Sequence, residues 1–335
     1  MRYVEAAGAR VSAVGLGTWQ FGSREWGYGQ HYAQSVAPSI VERSLALGVN
    51  LVDTAEIYGF GRSERAVGVA LTGRREEAFV ASKLFPVAPV GPVVHRRLLG
   101  SLGRLGIETI DLYQLHWPNP LVPIGTTMAA LAAEQRSGRL RHVGVSNFSL
   151  EQWRSAERAL LGPVLSNQVR YSLVERGIEQ DVLPWAQTHD RIVIAYSPLG
   201  QGVLSGRYDE DHRPRGARAL TPTFDPENLR RLAPLLGMLR EVASTHGATP
   251  TQVALAWLLR RPNVVVIPGA SSVEQAESNA AAAEIELGPD EDAALSAASA
   301  AFEPVAGSST LRTALRTGAT RLGHRIRSTA RGLRA

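Results

Sequence analysis

Residues 78–116 read AFVASKLFPVAPVGPVVHRRLLGSLGRLGIETIDLYQLH. Two runs rich in apolar residues, 78–83 and 110–116, each end where polar or loop-forming residues begin, as β-strands do. Between them, residues 94–105 repeat apolar positions at helical spacing. A strand, a helix and a second strand in this order predict a parallel βαβ unit.

The same alternation extends along the chain. Further strands are predicted at 11–19, 50–54, 141–147, 164–170, 191–198 and 264–270, and helices at 63–71, 126–137, 150–160, 178–188, 229–246 and 249–260. The last helix opens on Thr249 as N-cap and Pro250 as first helical residue. Continuous apolar strands such as Ile-Val-Ile-Ala at 192–195 suit a sheet covered on both faces. This α/β pattern favours a (β/α)8 TIM barrel over an open doubly wound sheet.

Segments outside the repeating units have their own interpretations. Residues 2–10 predict an N-terminal hairpin before the first barrel strand, and residues 200–228, rich in Gly, Arg, Pro and Asp, predict a functional flap. We expect a barrel domain over 1–303 and a basic, mostly disordered C-terminal tail over 304–335. For that tail, a helix docked on the barrel and a membrane or nucleic-acid contact are the alternatives.

Composition excludes several classes of protein. The chain has no cysteine, so disulfides, thiolate metal sites and a thiol nucleophile are ruled out. Its start does not resemble a signal peptide and no run of apolar residues is long enough to span a membrane, so we expect a cytoplasmic protein. The net charge is +5, but the seven arginines after Glu303 account for it and leave the barrel at about −2. The barrel is therefore not expected to bind nucleic acid.

Three residues whose side chains can take part in catalysis lie at the ends of predicted strands. Asp53, Lys83 and His116 are spaced by 30 and 33 residues, close to the roughly 31 residues of one βα unit. Lys83 is the only lysine among 36 basic residues. Neighbouring strands would thus present an acid, an amine and an imidazole side by side, with Tyr58 folding back from the next loop. Singly, each residue could be a helix cap, a structural histidine or a packing residue.

Together the four residues suit general acid catalysis. An ammonium favours the phenolate and so lowers the pKa of a phenol, a carboxylate keeps the amine charged, and a neutral imidazole can orient a carbonyl. The Rossmann fingerprint and the P-loop are missing, because Gly15-Leu-Gly17 and Gly27-Tyr-Gly29 lack the third glycine and Ser82 precedes the lone lysine. The histidines are not spaced for a metal site, and we predict none.

Eight ordered motifs across residues 1–300 resemble the aldo-keto reductases, in the branch that includes potassium-channel β subunits and bacterial aldo-keto reductases. The motifs are Gly15-Leu-Gly-Thr-Trp19, Asp53-Thr-Ala-Glu-Ile-Tyr-Gly59, Ser82-Lys83, Leu115-His-Trp-Pro118, Gly144-Val-Ser-Asn-Phe148, Asn167-Gln168, Tyr196-Ser-Pro-Leu-Gly200 and Ile267-Pro-Gly-Ala-Ser-Ser272. The resemblance implies a TIM barrel that binds NADP(H) and moves hydride between nicotinamide and an aldehyde or ketone, so that the partner is a small-molecule carbonyl or alcohol substrate. It implies Tyr58 as proton donor, Lys83 and His116 as residues that tune it, and Asp53 as the partner of Lys83.

The resemblance also implies the cofactor contacts. Ser146, Asn147 and Gln168 match contacts to the carboxamide, and Tyr196 matches the aromatic residue that stacks on nicotinamide. The other implied contacts are Thr18, Trp19 and Asp53 near the reacting end, Ser197, Pro198, Leu199, Gly200, Ser205 and Arg207 along the pyrophosphate and ribose, and Gly269, Ser271, Gln275, Ser278 and Asn279 around the adenosine. Aromatic residues near strand ends predict an apolar substrate pocket, namely Trp19, Trp26, Tyr28, Phe60 and Trp117.

Cofactor preference and two other functions stay open at this point. The best-known family members place lysine and arginine where this chain has Gly269 and Gln275, so we expect NADP(H) with NAD(H) as the alternative. Ser271 and Ser272 also suit a helix N-cap. A Schiff-base aldolase using Lys83 and an NADPH-binding, redox-sensing regulatory subunit are the rival functions. The oligomeric state is not predicted.

Overall fold

A closed barrel of parallel strands forms the body of the protein. The structure, a computed structural model, describes residues 1–22, 30–214, 219 and 221–305. The barrel strands are β3 (Leu16–Gly17), β4 (Leu51–Asp53), β5 (Phe79–Leu84), β6 (Ile110–Leu115), β7 (Leu140–Ser146), β8 (Val164–Arg170), β9 (Ile192–Tyr196) and β10 (Val264–Val266). They pair in chain order, and bridges from Val14 to Val266 and from Gly17 to Gly269 join the first strand to the last. The predicted (β/α)8 barrel is confirmed.

An antiparallel hairpin precedes the barrel, as predicted, but it is longer than expected. Strands β1 (Tyr3–Ala6) and β2 (Ala9–Ser12) pair so that Val4 lies opposite Val11. The prediction of one barrel strand over 11–19 is therefore wrong at its start. Both faces of this segment are buried, so its apolar run does not reveal where the chain changes partner.

Ten α-helices are described, and those predicted from helical spacing lie within a few residues of their predicted bounds. They are α1 (Gln30–Ala46), α2 (Arg62–Ala70), α3 (Gly91–Leu105), α4 (Ile124–Arg136), α5 (Leu150–Leu160), α6 (Val182–Thr188), α7 (Pro226–Thr245), α8 (Pro250–Leu259), α9 (Val273–Ala281) and α10 (Pro289–Ala300). The helix predicted over 178–188 is divided at Asp181 into a 3-10 turn and α6. Thr249 caps α8 through the amide of Gln252, as expected.

Three helices were not predicted. Helix α1 contains Pro38, a residue that reads as a helix breaker, and α9 and α10 are rich in alanine and serine, so apolar and polar faces contrast little. The segment predicted as a flap, 200–228, runs into α7, which begins at Pro226, and a flap function for this segment stays a prediction. Within it, Gly200–Ser205 and Pro222–Phe224 form 3-10 turns.

The barrel strands are almost entirely buried, and their carboxyl ends carry polar residues such as Asp53, Lys83 and Ser146. Val80, Val193 and Val265 are fully buried. Among the described helices, none is long and apolar enough to cross a membrane. The predicted tail lies outside the described residues from 306 onward.

Candidate active site

Three neighbouring strands present the predicted acid, amine and imidazole at one end of the barrel. Asp53 is the last residue of β4, Lys83 the last but one of β5, and His116 follows β6 directly. The His116 amide donates to the Leu84 carbonyl over 3.0 Å, so the sheet holds the backbone of His116 directly. The spacing read from the sequence therefore brings these residues together, as expected for parallel strands.

Lys83 is the centre of the cluster. Its buried ammonium donates to Asp53 Oδ1 at 2.5 Å, to the Thr54 carbonyl at 2.9 Å and to Tyr58 Oη at 3.1 Å. Burial lowers the pKa of Lys83, but Asp53 and Tyr58 outweigh burial and the net shift is upward. A charged amine with three hydrogen-bond acceptors is a poor nucleophile, so this geometry does not favour the Schiff-base alternative.

Tyr58 returns to the strand end through a tight turn. Gly59 and Phe60 after it both have positive φ, and a side chain at Gly59 would press on the carbonyls of Phe21 and Gly22 at 3.1 Å. Burial raises the pKa of the Tyr58 phenol, and the charge of Lys83 opposes this without reversing it. The expected lowering by Lys83 is present, but the net direction is upward because desolvation is larger. Tyr58 therefore holds its proton at neutral pH and can donate it.

His116 is neutral. Burial first, and then the charge of Lys83, lowers its pKa to about 2. Its ring lies edge-on to Tyr58 with centroids 5.9 Å apart and is stacked on Trp117 at 3.9 Å. Within the described part of the chain, the buried Nδ1 has no hydrogen-bond partner. An uncharged imidazole beside the phenol can orient a carbonyl oxygen without competing for the proton.

The second oxygen of Asp53 is held by side-chain amides inside the barrel. Gln168 Nε2 donates to Asp53 Oδ2 at 2.7 Å, and Gln114 Nε2 lies 3.4 Å from the same oxygen. Gly144 leaves room for Gln114, since a Cβ there would lie 2.9 Å from Gln114 Cγ. We did not single out Gln114 from the sequence. Its place two residues before His116 on β6, on the same face, was the available signal.

The predicted carboxamide contacts form one connected group beyond β7 and β8. Ser146 Oγ donates to the Gln168 carbonyl at 2.9 Å, and Asn147 Nδ2 donates to the His116 carbonyl at 3.2 Å. Tyr196 Oη donates to Asn147 Oδ1 at 2.8 Å. Asn147 has φ of 61°, a strained backbone that turns its side chain back to the site. Hydroxyl and amide groups of this kind can bind a carboxamide, so the residues present fit a nicotinamide.

Thr18 and Trp19 lie beside Asp53. Thr18 is fully buried, and its hydroxyl donates to the Asp53 carbonyl at 2.8 Å and is shared with Ser63 Oγ at 2.7 Å. This hydroxyl is thus used to fix the Asp53 backbone, and any cofactor contact of Thr18 remains a prediction. Trp19 is 45% exposed next to it.

The predicted pyrophosphate contacts follow β9. Pro198 is buried, while Ser197, Leu199 and Gly200 are half-buried, and Ser197 has φ of 50°. Ser205 Oγ donates to the Gly202 carbonyl at 2.7 Å, and Arg207 is exposed just beyond. The structure therefore places these residues in one loop.

The predicted adenosine contacts lie at the start of α9. Ser272 caps the helix, while Gln275 Oε1 accepts from the Ser271 amide at 2.9 Å and from its hydroxyl at 2.8 Å. Asn279 Nδ2 donates to the Gly269 carbonyl at 3.3 Å, and Ser278 is half-buried one residue earlier. A Cβ at Gly269 would lie 2.8 Å from Gln20 Oε1, so Gln20 occupies the space that a side chain at 269 would need.

Of the predicted substrate-pocket aromatics, Trp117 fits best with the structure, because it stacks on His116 and is 40% exposed. Phe60 is 88% exposed in the Tyr58 turn, and its role as a wall stays a prediction. Trp26 and Tyr28 lie outside the described residues. Phe85, which we did not single out, has its ring centroid 6.4 Å from His116 and 5.9 Å from Trp117.

Comparisons with known proteins agree with this geometry. The model of the Aldo/keto reductase family matches residues 13–300. An uncharacterized oxidoreductase of Mycobacterium tuberculosis is 54% identical over 91% of this chain and 95% of its own length. The NADH-specific methylglyoxal reductase of Escherichia coli is 33% identical over 85% of this chain and 93% of its length. An aldo/keto reductase from Klebsiella pneumoniae, solved with NADP and acetate, is 31% identical with a TM-score of 0.71, covering 91% of this chain and 96% of that one.

Proposed function

The chain belongs to the aldo/keto reductase family, and we propose that it transfers hydride between the nicotinamide of NADP(H) and an aldehyde or ketone, with Tyr58 as general acid. One observation above all supports this proposal. The ammonium of Lys83 is shared between Asp53 Oδ1 and Tyr58 Oη, at 2.5 and 3.1 Å. That contact places a positive charge where a phenolate forms when Tyr58 gives up its proton.

Asp53, Tyr58, Lys83 and His116, which we call the tetrad, divide the proton chemistry among them. Tyr58 donates its proton to the oxygen of the carbonyl as that oxygen gains negative charge. Lys83 stabilises the phenolate that remains, and Asp53 keeps Lys83 charged and fixed. Neutral His116 orients the carbonyl oxygen towards the Tyr58 hydroxyl. When bound, the reduced nicotinamide would supply the hydride that completes the reduction to an alcohol.

The residues that would hold the nicotinamide are those that fit a carboxamide, namely Ser146, Asn147 and Gln168, with Tyr196 as the stacking platform. Gln168 also contacts the tetrad, since its Nε2 donates to Asp53 Oδ2 at 2.7 Å. Its remaining amide oxygen can accept from a carboxamide while this bond persists. The cofactor end of the site is thereby connected to the tetrad through one side chain.

We favour NADP(H) over NAD(H) as the cofactor. The difference in affinity should be smaller than in family members that have a lysine and an arginine where this chain has Gly269 and Gln275. The Klebsiella pneumoniae structure contains NADP, whereas the Escherichia coli relative is named as specific for NADH. In this chain the side-chain space at Gly269 is taken by Gln20, and Gln275 is turned to Ser271. A 2′-phosphate would then rely on the N-terminus of α9 and on hydroxyl groups such as those of Ser271 and Ser272.

A binding and turnover experiment tests the proposal. Quenching of intrinsic fluorescence is titrated with NADPH and NADH, and oxidation of the reduced cofactor is then followed at 340 nm with a panel of aldehydes and ketones. We expect binding of both cofactors, tighter for NADPH, and turnover with at least one carbonyl. Tight NADPH binding without turnover across the panel would instead support the redox-sensing alternative. Trapping of a carbonyl on Lys83 by borohydride would contradict the proposed chemistry.

A further inference from the structure

A partly buried ion pair lies beside the tetrad without belonging to it. Glu56, between Asp53 and Tyr58 in the chain, pairs with Arg97 of α3, whose Nε is 3.3 Å from Glu56 Oε2. Their side chains are 9% and 26% exposed, respectively. Removing two charges from water is costly, so a pair of this kind calls for hydrogen bonds that compensate.

Both residues bind the backbone of Phe85. The Phe85 amide donates to Glu56 Oε1 at 2.6 Å, and Arg97 Nη1 donates to the Phe85 carbonyl at 2.6 Å. Phe85 lies just past the end of β5, after the bond from the His116 amide to Leu84, and Pro86 follows it without an N–H. The strand ladder does not extend to Phe85. Glu56 and Arg97 bind its amide and its carbonyl instead, and the Val87 amide also donates to the carbonyl at 2.8 Å.

The position of Phe85 matters because of what its ring touches. It lies edge-on to His116 and to Trp117, with interplanar angles of 88° and 85°. A change in the Phe85 backbone would move the ring against the imidazole that orients the carbonyl and against the exposed Trp117. Edge-to-face contacts of this kind depend on ring position.

We propose that Glu56 and Arg97 are positioning residues that clamp Phe85 through its backbone, and that this clamp sets which carbonyl side chains fit beside His116. The inference rests on the proposed function for its substrate class, an aldehyde or ketone. The clamp also ties the Tyr58 loop to the loop after β5, because Glu56 lies two residues before Tyr58. Bulky carbonyl substrates should depend on the clamp more than small ones.

Kinetics with two aldehydes tests the effect on substrates. We expect Glu56→Leu and Arg97→Met each to raise KM for benzaldehyde by about 5- to 20-fold, because each removes a hydrogen bond to the Phe85 backbone. By contrast, kcat with propanal and the Kd for NADPH should change less than about twofold. Glu56→Gln, which keeps an acceptor for the Phe85 amide, should recover most of the KM. Glu157→Leu removes a second partly buried pair, with Arg191, away from the site and is the matched control.

Epistasis with Phe85 decides how the pair acts. If the clamp works through Phe85, Glu56→Leu adds no further change to KM for benzaldehyde in a Phe85→Ala background. A full additional effect in that background, or equal effects on both aldehydes, would overturn the proposal.

Amide hydrogen exchange provides a readout that does not need turnover. In Glu56→Leu, exchange at the Phe85 amide should accelerate by about tenfold or more, with unchanged protection of β5 and β6 and no acceleration in Glu157→Leu. Unchanged exchange at Phe85 would contradict the clamp. A wild-type protein that reduces no carbonyl would contradict the proposed function alone, and the exchange result would still decide the clamp.

Discussion

Lys83 Nζ lies 3.1 Å from Tyr58 Oη and 2.5 Å from Asp53 Oδ1. The ammonium of Lys83 thus contacts both the proposed acid, Tyr58, and its own counterion, Asp53. The two contacts have opposite effects on the phenol. The charge of Lys83 lowers the pKa of Tyr58, while burial and the nearby Asp53 raise it. The result is a phenol that keeps its proton at neutral pH, beside a cation that would stabilise the phenolate formed in the proposed proton transfer.

Replacing the Tyr58 hydroxyl should abolish most turnover. We expect Tyr58→Phe to lower kcat by about 10²- to 10⁴-fold or more, since only proton transfer in the transition state is lost, with the Kd for NADPH within about twofold of wild type. Steady-state kinetics and fluorescence titration measure both quantities. Tyr3→Phe serves as the control, because it removes a hydroxyl of the hairpin that donates to the Gly48 carbonyl away from the site. Equal activity of Tyr58→Phe and wild type would refute the assigned role.

Removing the ammonium should shift the pH dependence of the reverse reaction upward. In the proposed mechanism, alcohol oxidation needs Tyr58 as phenolate, so its rate should rise with pH towards the pKa of Tyr58. Lys83 lowers that pKa, and Lys83→Met should therefore move the rise to higher pH and reduce kcat at every pH. Rates of alcohol oxidation between pH 6 and 10.5 measure the shift. Should Lys83→Met not fold, Lys83→Gln also removes the charge. An unchanged pH profile with high activity in either variant would contradict this role.

Much of this architecture could be predicted from the sequence, and the failures have physical causes. Strand ends and their spacing located Asp53, Lys83 and His116, because parallel strands place equivalent positions on one rim. Phe85 could not be found this way, because its position depends on side chains of Glu56 and Arg97 that are separated from it in sequence. The net direction of the Tyr58 pKa also escaped prediction, since desolvation depends on packing that no local pattern encodes.

The neutrality of His116 should make the folded protein sensitive to acid. Its pKa is about 2 in the folded state against about 6.5 in the unfolded chain, so only the unfolded chain binds this proton as the pH falls below 6.5. The contribution of His116 to the free energy of unfolding is therefore fully present above pH 6.5. It falls by about 2 kcal/mol between pH 6.5 and 5. Urea unfolding at both pH values should show that loss in wild type and a smaller loss in His116→Gln. If wild type and His116→Gln lost the same free energy of unfolding between the two pH values, His116 would not be a buried neutral imidazole.

Gln114 should support Asp53 without binding cofactor. Gln114→Leu removes the amide 3.4 Å from Asp53 Oδ2, so the carboxylate charge is less neutralised and raises the pKa of Tyr58 further. We expect alcohol oxidation to rise at higher pH than in wild type, and kcat to fall by about 5- to 10-fold, as for loss of one hydrogen bond worth about 1 kcal/mol. Gln135→Leu removes an amide that bonds the Arg141 carbonyl and is the control. A change in KM alone, with the wild-type pH profile, would contradict this role.

Gly144 should be required by the side chains it admits to the barrel interior. A Cβ at this position would lie 2.7 Å from Ser166 Oγ and 2.9 Å from Gln114 Cγ and Leu112 Cδ1, and all three of these residues are buried. Gly144→Ala should thus lower the free energy of unfolding by about 1–3 kcal/mol, the usual cost of overpacking a core, and disturb Gln114 enough to reduce kcat. Gly162→Ala, where a Cβ meets nothing within 4 Å, should stay within about 0.5 kcal/mol of wild type. If Gly144→Ala were as stable and as active as Gly162→Ala, the barrel interior would have to be looser than its contacts indicate.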